Sequence, residues 1–191
     1  MNSEENNILV VWMMEECHSG ILAGSLKGQT TRVKLCERVK SCGKGTVLYL
    51  NFSGVEVSTG SFLREAVFEL RDELRKPRYD GYLIVANATE FVFEDIELLV
   101  EKRRDVLVLC DLLETPSNYR ILGELEAKQQ ATFDLLCEVG EGDAKAMLKH
   151  TDEDVSRTAW SNRLSSLSQL GLIIEEQRGR LKWYRPLFLR K

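Results

Sequence analysis

The chain has 191 residues, 43% of them apolar and 29% charged, with a formal net charge of −4. These proportions are those of an ordinary globular protein of one large or two small domains, and they exclude low-complexity disorder and collagen-like repeats. No apolar run is long enough for a membrane-spanning helix, and Glu4 and Glu5 stand where a secretory leader would carry positive charge. A cytoplasmic location without membrane contact is therefore expected. The five cysteines are scattered and include no CxxC pair, which fits reduced thiols. His18 and His150 are the only histidines, too few well-spaced ligands for zinc, so no metal is expected.

The first half alternates short apolar strands with amphipathic helices. Residues 9–14 predict a strand, and 20–28 a glycine-punctuated turn or short strand pair. Residues 31–41 carry Val33, Leu35, Cys36 and Val39 at helical spacing, before Gly43 and Gly45 break the chain. Residues 46–52 are rich in β-branched and aromatic side chains and predict a strand. Residues 60–76 predict a helix ended by Pro77. A strand over 82–86, a helix over 94–103 and a strand over 106–110 complete the series. Such an order implies an α/β domain with parallel pairing and right-handed crossovers.

Pro116 and neighbouring turn formers predict a domain boundary, dividing the chain into 1–115 and 116–191. Residues 117–139 then read as one long helix, weakened near Gly123. After the turn 140–142 comes a short helix over 143–149, and a second tight turn over 151–154. Ser156 is a natural N-cap for a helix running to Gln169, on which Trp160, Leu164 and Leu167 form one stripe. Gly171 terminates it, and strands over 172–176 and 181–186 enclose a turn. Three helices followed by a hairpin give an α+β domain.

Charge divides this second half sharply. Residues 121–154 hold nine acids and three bases, a net of −6, whereas 155–191 hold eight bases and two acids, a net of +6. A phosphate backbone responds to such a local field more than to the total. The outward face of the last helix offers Arg157, Thr158, Ser161, Asn162 and Ser165, short or polar groups suited to a DNA major groove. Arg178, Arg180 and Lys182 on the hairpin are placed for phosphates or the minor groove. Asp152, Glu153 and Asp154, just ahead of the helix, would repel phosphate. A solvated polar face and ordinary surface charge are the plainer readings of these residues.

Two resemblances follow from quoted segments. Residues 158–187, TAWSNRLSSLSQLGLIIEEQRGRLKWYRPL, resemble the recognition helix and wing of the MarR/ArsR-like winged helix-turn-helix repressors of bacteria. That likeness implies double-stranded DNA as partner, bound by a homodimer on two half-sites. Residues 45–67, GTVLYLNFSGVEVSTGSFLREAV, with 28–32, GQTTR, resemble the STAS-like domain of bacterial regulatory proteins. That likeness implies a signal-receiving module. In the antagonist branch of that group a serine in this loop is phosphorylated by a partner kinase, and Ser61 aligns best with it, with Ser58 and Thr59 as neighbours. The Asp-Ser pair of that branch is replaced by Thr59-Gly60 before Ser61. The same hydroxyls at a strand-to-helix junction suit helix capping or anion binding, and capping is the leading alternative.

No catalytic signature is present: GxSxG, Walker A, GxGxxG and HExxH are all missing. Cys42-Gly43-Lys44-Gly45-Thr46 precedes a strand and not a helix, so it lacks phosphate-loop geometry. Cys17–His18, read as lying on a strand, would point to opposite faces. The expectation is a regulator that is not an enzyme, the alternative being an adaptor that uses both domains to bind proteins.

Overall fold

A computed structural model describes residues 7–151 and 155–188. The chain divides into two compact units, Met1–Gly123 and Glu124–Lys191.

The first unit is built on a five-stranded sheet. Its strands are β1 (Ile8–Trp12), β3 (Val47–Asn51), β5 (Tyr82–Ala86), β6 (Leu107–Leu112) and β7 (Pro116–Leu122), in that spatial order. The first four run parallel, and β7 returns antiparallel to β6. Two-residue strands β2 (Ile21–Leu22) and β4 (Val57–Ser58) form a separate parallel pair. A short helix α1 (Met13–Glu16) follows β1. The crossovers are α2 (Ser25–Cys42), the helical run α3 over 60–74, and α4 (Glu90–Arg103).

The sequence explains the layering. Val11, Leu48, Leu50, Leu83, Val85, Leu107 and Leu109 alternate along their strands and share one core with Leu35, Val39, Phe62, Val67, Leu70, Val92 and Ile96 of the three helices. The intervening residues Val47, Tyr49, Asn51, Tyr82, Ile84 and Ala86 are also buried. Strands buried on both faces read as unbroken apolar runs, as parallel strands do. On this second face the Tyr49 and Tyr119 hydroxyls meet at 2.8 Å.

Several boundaries differ from the sequence-based expectation. Helix α2 starts at Ser25, six residues early, because Gly24 at φ +87° turns the chain directly from β2 into the helix. Helix α3 is α-helical over Gly60–Leu63 and Leu70–Leu74 but π-helical over Arg64–Glu69. The long helix expected over 117–139 does not form. Its first part is β7, hydrogen-bonded along β6, and the division between units falls at Gly123 instead of ahead of Pro116. Gly123 has φ +95°, and a Cβ there would lie 2.2 Å from the Asp105 carbonyl oxygen. It is a turn residue that only glycine fits, not a weak point in a helix.

The second unit has helices α5 (Ala127–Val139), α6 (Ala144–Leu148) and α7 (Arg157–Gln169), then the antiparallel hairpin β8 (Ile173–Arg178) and β9 (Leu181–Pro186). Between α5 and α6, Gly142 exchanges two backbone hydrogen bonds of 2.9 Å with Tyr184 of β9, adding a one-residue third strand to the hairpin. Phe133, Leu136, Met147, Trp160, Leu164, Leu167, Leu172, Ile173 and Tyr184 are among its buried side chains.

Candidate nucleic-acid interface

Helix α7 is fixed at both ends. The Ser156 hydroxyl accepts from the Ala159 N–H at 3.2 Å, the N-cap read from the sequence. At the other end Gly171, at φ +76°, donates to the Ser168 carbonyl, and Leu172 donates to that of Leu167. Trp160, Leu164 and Leu167 turn inward and are 2% exposed or less. Gln129 of α5 donates to Ser166 at 3.0 Å, a further tie on the same helix.

This anchoring decides what faces outward. Arg157, Thr158 and Asn162 are exposed, while Ser161 and Ser165 are half-buried. By helical spacing, Thr158, Asn162, Ser165 and Gln169 form one outward stripe, with Ser161 on its shoulder. Gln169 is exposed and was not among the expected contacts. The i, i+4, i+7, i+11 spacing would have found it. Asp152, Glu153 and Asp154, expected to oppose phosphate, lie outside the described residues.

The hairpin turns through Gly179-Arg180, with Gly179 at φ +64°. A glycine first in a two-residue loop matches the twist of antiparallel strands. Arg180 is exposed at this tip, with no ion pair among the described residues. Arg178 and Lys182 are placed differently from expectation. Arg178 grips Glu141 with two hydrogen bonds of 3.1 and 2.9 Å, reaches Glu176 at 3.0 Å, and lies 4.8 Å over the Trp183 ring. The guanidinium hydrogen bonds hold the Glu141 carboxyl below its usual value. Lys182 pairs with Glu175 at 2.7 Å, and Arg185 with Glu176 at 2.9 Å. Three of the eight bases counted over 155–191, Arg178, Lys182 and Arg185, are thus paired locally.

In the first unit the two segments carrying the STAS-like resemblance come together. Gly28 of α2 packs so closely on α3 that a Cβ would lie 2.8 Å from both the Phe62 carbonyl oxygen and the Glu65 Cβ. Arg32 reaches Glu65, a buried acid on the π-helical turn, at 3.2 Å. Thr59 caps α3: its hydroxyl accepts from the Phe62 N–H at 3.4 Å and from the Gly24 N–H at 3.1 Å. Ser61 is exposed, its hydroxyl 3.0 Å from that of Thr59. Ser58 lies in β4, 4% exposed, with no hydrogen-bond partner for its hydroxyl among the described residues. The three hydroxyls are therefore unequal, and Ser61 alone stands open.

Cys17–His18 is not on a strand; it follows α1, with His18 at φ +50°. Burial raises the Cys17 thiol, against a weaker opposing contact from Thr31. A raised thiol is the reverse of what a nucleophile requires. Cys110 is pushed by burial up to about 12. Among the described residues no cluster of three His, Cys, Asp or Glu side chains is grouped to hold a metal, and no helix is long and apolar enough to cross a membrane.

No protein-family model matches the chain, and neither a curated protein nor a solved structure is significantly similar to it.

Proposed function

We propose that the chain is a DNA-binding transcriptional regulator, in which a STAS-like first unit receives a signal and a winged helix-turn-helix second unit binds duplex DNA. The carrying observation is helix α7, which buries Trp160, Leu164 and Leu167 while Thr158, Asn162, Ser165 and Gln169 share its outward face. The order helix, one-residue strand, helix, helix, hairpin supports a winged helix, with α7 as recognition helix and Gly179-Arg180 as wing tip. Asn162 suits adenine in the major groove, and Arg157 and Arg180 suit phosphates. In the first unit, Ser61 is the exposed hydroxyl at the head of α3, open to a partner or to a kinase. The regulator works in the cytoplasm, without a cofactor or catalysis of its own.

Fluorescence anisotropy of labelled duplexes, first enriched from a random pool, tests this reading. Affinity should fall as salt rises. Asn162→Ala should relax preference at one base position at a cost of about 1–3 kcal/mol. Arg180→Ala should weaken binding to all sequences alike. Failure of any duplex to enrich would favour the second reading, a protein-binding adaptor. The ion pairs that occupy Arg178 and Lys182 are the observation on its side.

A further inference from the structure

The helix layer of the first unit is bordered by two helices of opposite charge. α2 holds five bases and one acid, a net of +4, and α4 holds five acids and two bases, a net of −3. Each leads into the amino end of a parallel strand, so the two run in the same direction, with α3 between them. Each also shows water a pair of large apolar side chains two turns apart. Leu26 and Val33 of α2 are 76% and 62% exposed, and Phe91 and Leu98 of α4 are 67% and 51% exposed. Leu26 and Phe91 are both the second residue of their helix, so the pairs match in depth as well as in spacing. α3 is recessed, with only Ser61, Arg64 and Asp72 exposed.

Charges without an ion pair sit on corresponding flanks. On α2, Arg32 turns toward α3 and reaches Glu65, while Lys34 shares the opposite flank with Arg38, which reaches Glu16 beside β1. On α4, Arg103 turns toward α3 and reaches Glu69, while Glu97 shares the opposite flank with Phe93, whose ring lies 5.1 Å from Arg120 of β7. By helical spacing Lys27 lies with Lys34, and Glu90 with Glu97. None of these four makes an ion pair among the described residues. Base and acid thus stand on opposite rims of one layer, where α3 keeps them from meeting within a copy.

We propose that this helix layer is a self-association surface, on which α2 of one copy docks against α4 of a second. A two-fold axis running along the outer side of α3 sets each α2 over the other copy's α4 and leaves the helices parallel. Leu26 and Val33 then oppose Phe91 and Leu98 of the second copy, and the outer flank with Lys27 and Lys34 opposes the outer flank with Glu90 and Glu97. Every contact is made twice, as an isologous interface demands. The complementarity selects the occupant. An unrelated acidic protein would suit α2 and leave α4 bare, whereas a second copy brings the acidic ridge for one and the basic ridge for the other. The inference stands independently of whether the second unit binds DNA.

Sedimentation equilibrium of the full chain over a concentration series at low salt tests it. The expected species has twice the 21.8 kDa chain mass. Leu98→Lys, at an exposed position, should weaken association about tenfold or more while leaving the circular dichroism spectrum unchanged. Lys34→Glu and Glu97→Lys should each weaken it severalfold. An equimolar mixture of those two variants should recover it, because every facing pair in the mixed dimer is again of opposite sign. A monomer throughout the series would overturn the proposal. So would a dimer indifferent to Leu98→Lys, or charge reversals that mixing does not repair.

Discussion

The two units use arginine in opposite ways. In the first, Arg71 is 7% exposed and makes a forked contact of 3.0 and 2.7 Å to Asp105, another to Asp72, and a bond to the Val106 carbonyl. Arg103 adds bonds to Glu69 and Asp72, and Phe68 has both guanidinium groups over its ring at 5.9 and 5.1 Å. This network locks α3 to the chain entering β6. In the second unit, Arg178 and Glu141 are each more than 40% exposed, and their pairing trims surface charge without tying core elements together. Buried pairs are strongly coupled to folding once one partner is lost, whereas exposed pairs barely affect it. A substitution in the first network should therefore unfold its unit, and one in the second should retune a surface.

The largest expected effect probes the smaller unit's core. Trp160 is 2% exposed and central to α7. Trp160→Ala should cost about 3–5 kcal/mol, enough to unfold a unit as small as Glu124–Lys191. Hydrogen exchange read by mass spectrometry should show protection lost from 124–188 and kept in β3 and β5. Loss of protection in both units together would contradict two independently folded units. Trp160→Phe should cost far less than the lost volume suggests, because the indole N–H has no hydrogen-bond partner among the described residues.

Next is the buried network. Arg71→Ala leaves Asp105 without its main partner and should cost about 3–5 kcal/mol in urea unfolding of the first unit. The effect carries a pH signature. Burial alone would raise the Asp105 carboxyl, but the Arg71 guanidinium and the Val106 N–H outweigh it and hold it below its ordinary value. A depressed folded-state value gives stability that is complete above the unfolded value of about 4 and is lost as pH falls through the folded one. The difference between wild type and Arg71→Ala should therefore be constant near neutrality and shrink below about pH 4. A difference independent of pH would mean that Arg71 acts through packing alone.

Legibility in the sequence followed the range of the interactions. Strand Tyr82–Ala86, strand Leu181–Pro186 and the Ser156 cap were readable because each depends on side chains within a few residues. β7 was not, because Ser117–Leu122 has little periodicity of its own. It is a strand by virtue of hydrogen bonds to β6 and of the space beside Asp105 that only Gly123 fits. The inward stripe of α7 and its polar outer face were legible from periodicity. The state of the hairpin was not: counting charges gave a positive segment, but Glu141, which holds Arg178, lies 37 residues away in the stretch counted as acidic. Ser61 stood out from Ser58 in the sequence only through a resemblance, because exposure has no local signature there. Only the pairing of β4 with β2 buries one and leaves the other open.

The smallest effect on stability is the sharpest test of how the two units differ. Glu141→Gln removes the forked partner of Arg178 and leaves the single contact to Glu176. Because the pair is exposed, unfolding should change by no more than about 0.5 kcal/mol. If the hairpin meets phosphate, the released guanidinium gains a ligand. Affinity for duplex DNA should then rise, and the slope of log affinity against log salt should steepen by up to about one. Unchanged affinity and slope would mean that Arg178 is a local clamp between the hairpin and the 140–142 turn. Phosphate contact would then be left to Arg157 and Arg180, whose guanidinium groups make no ion pair among the described residues.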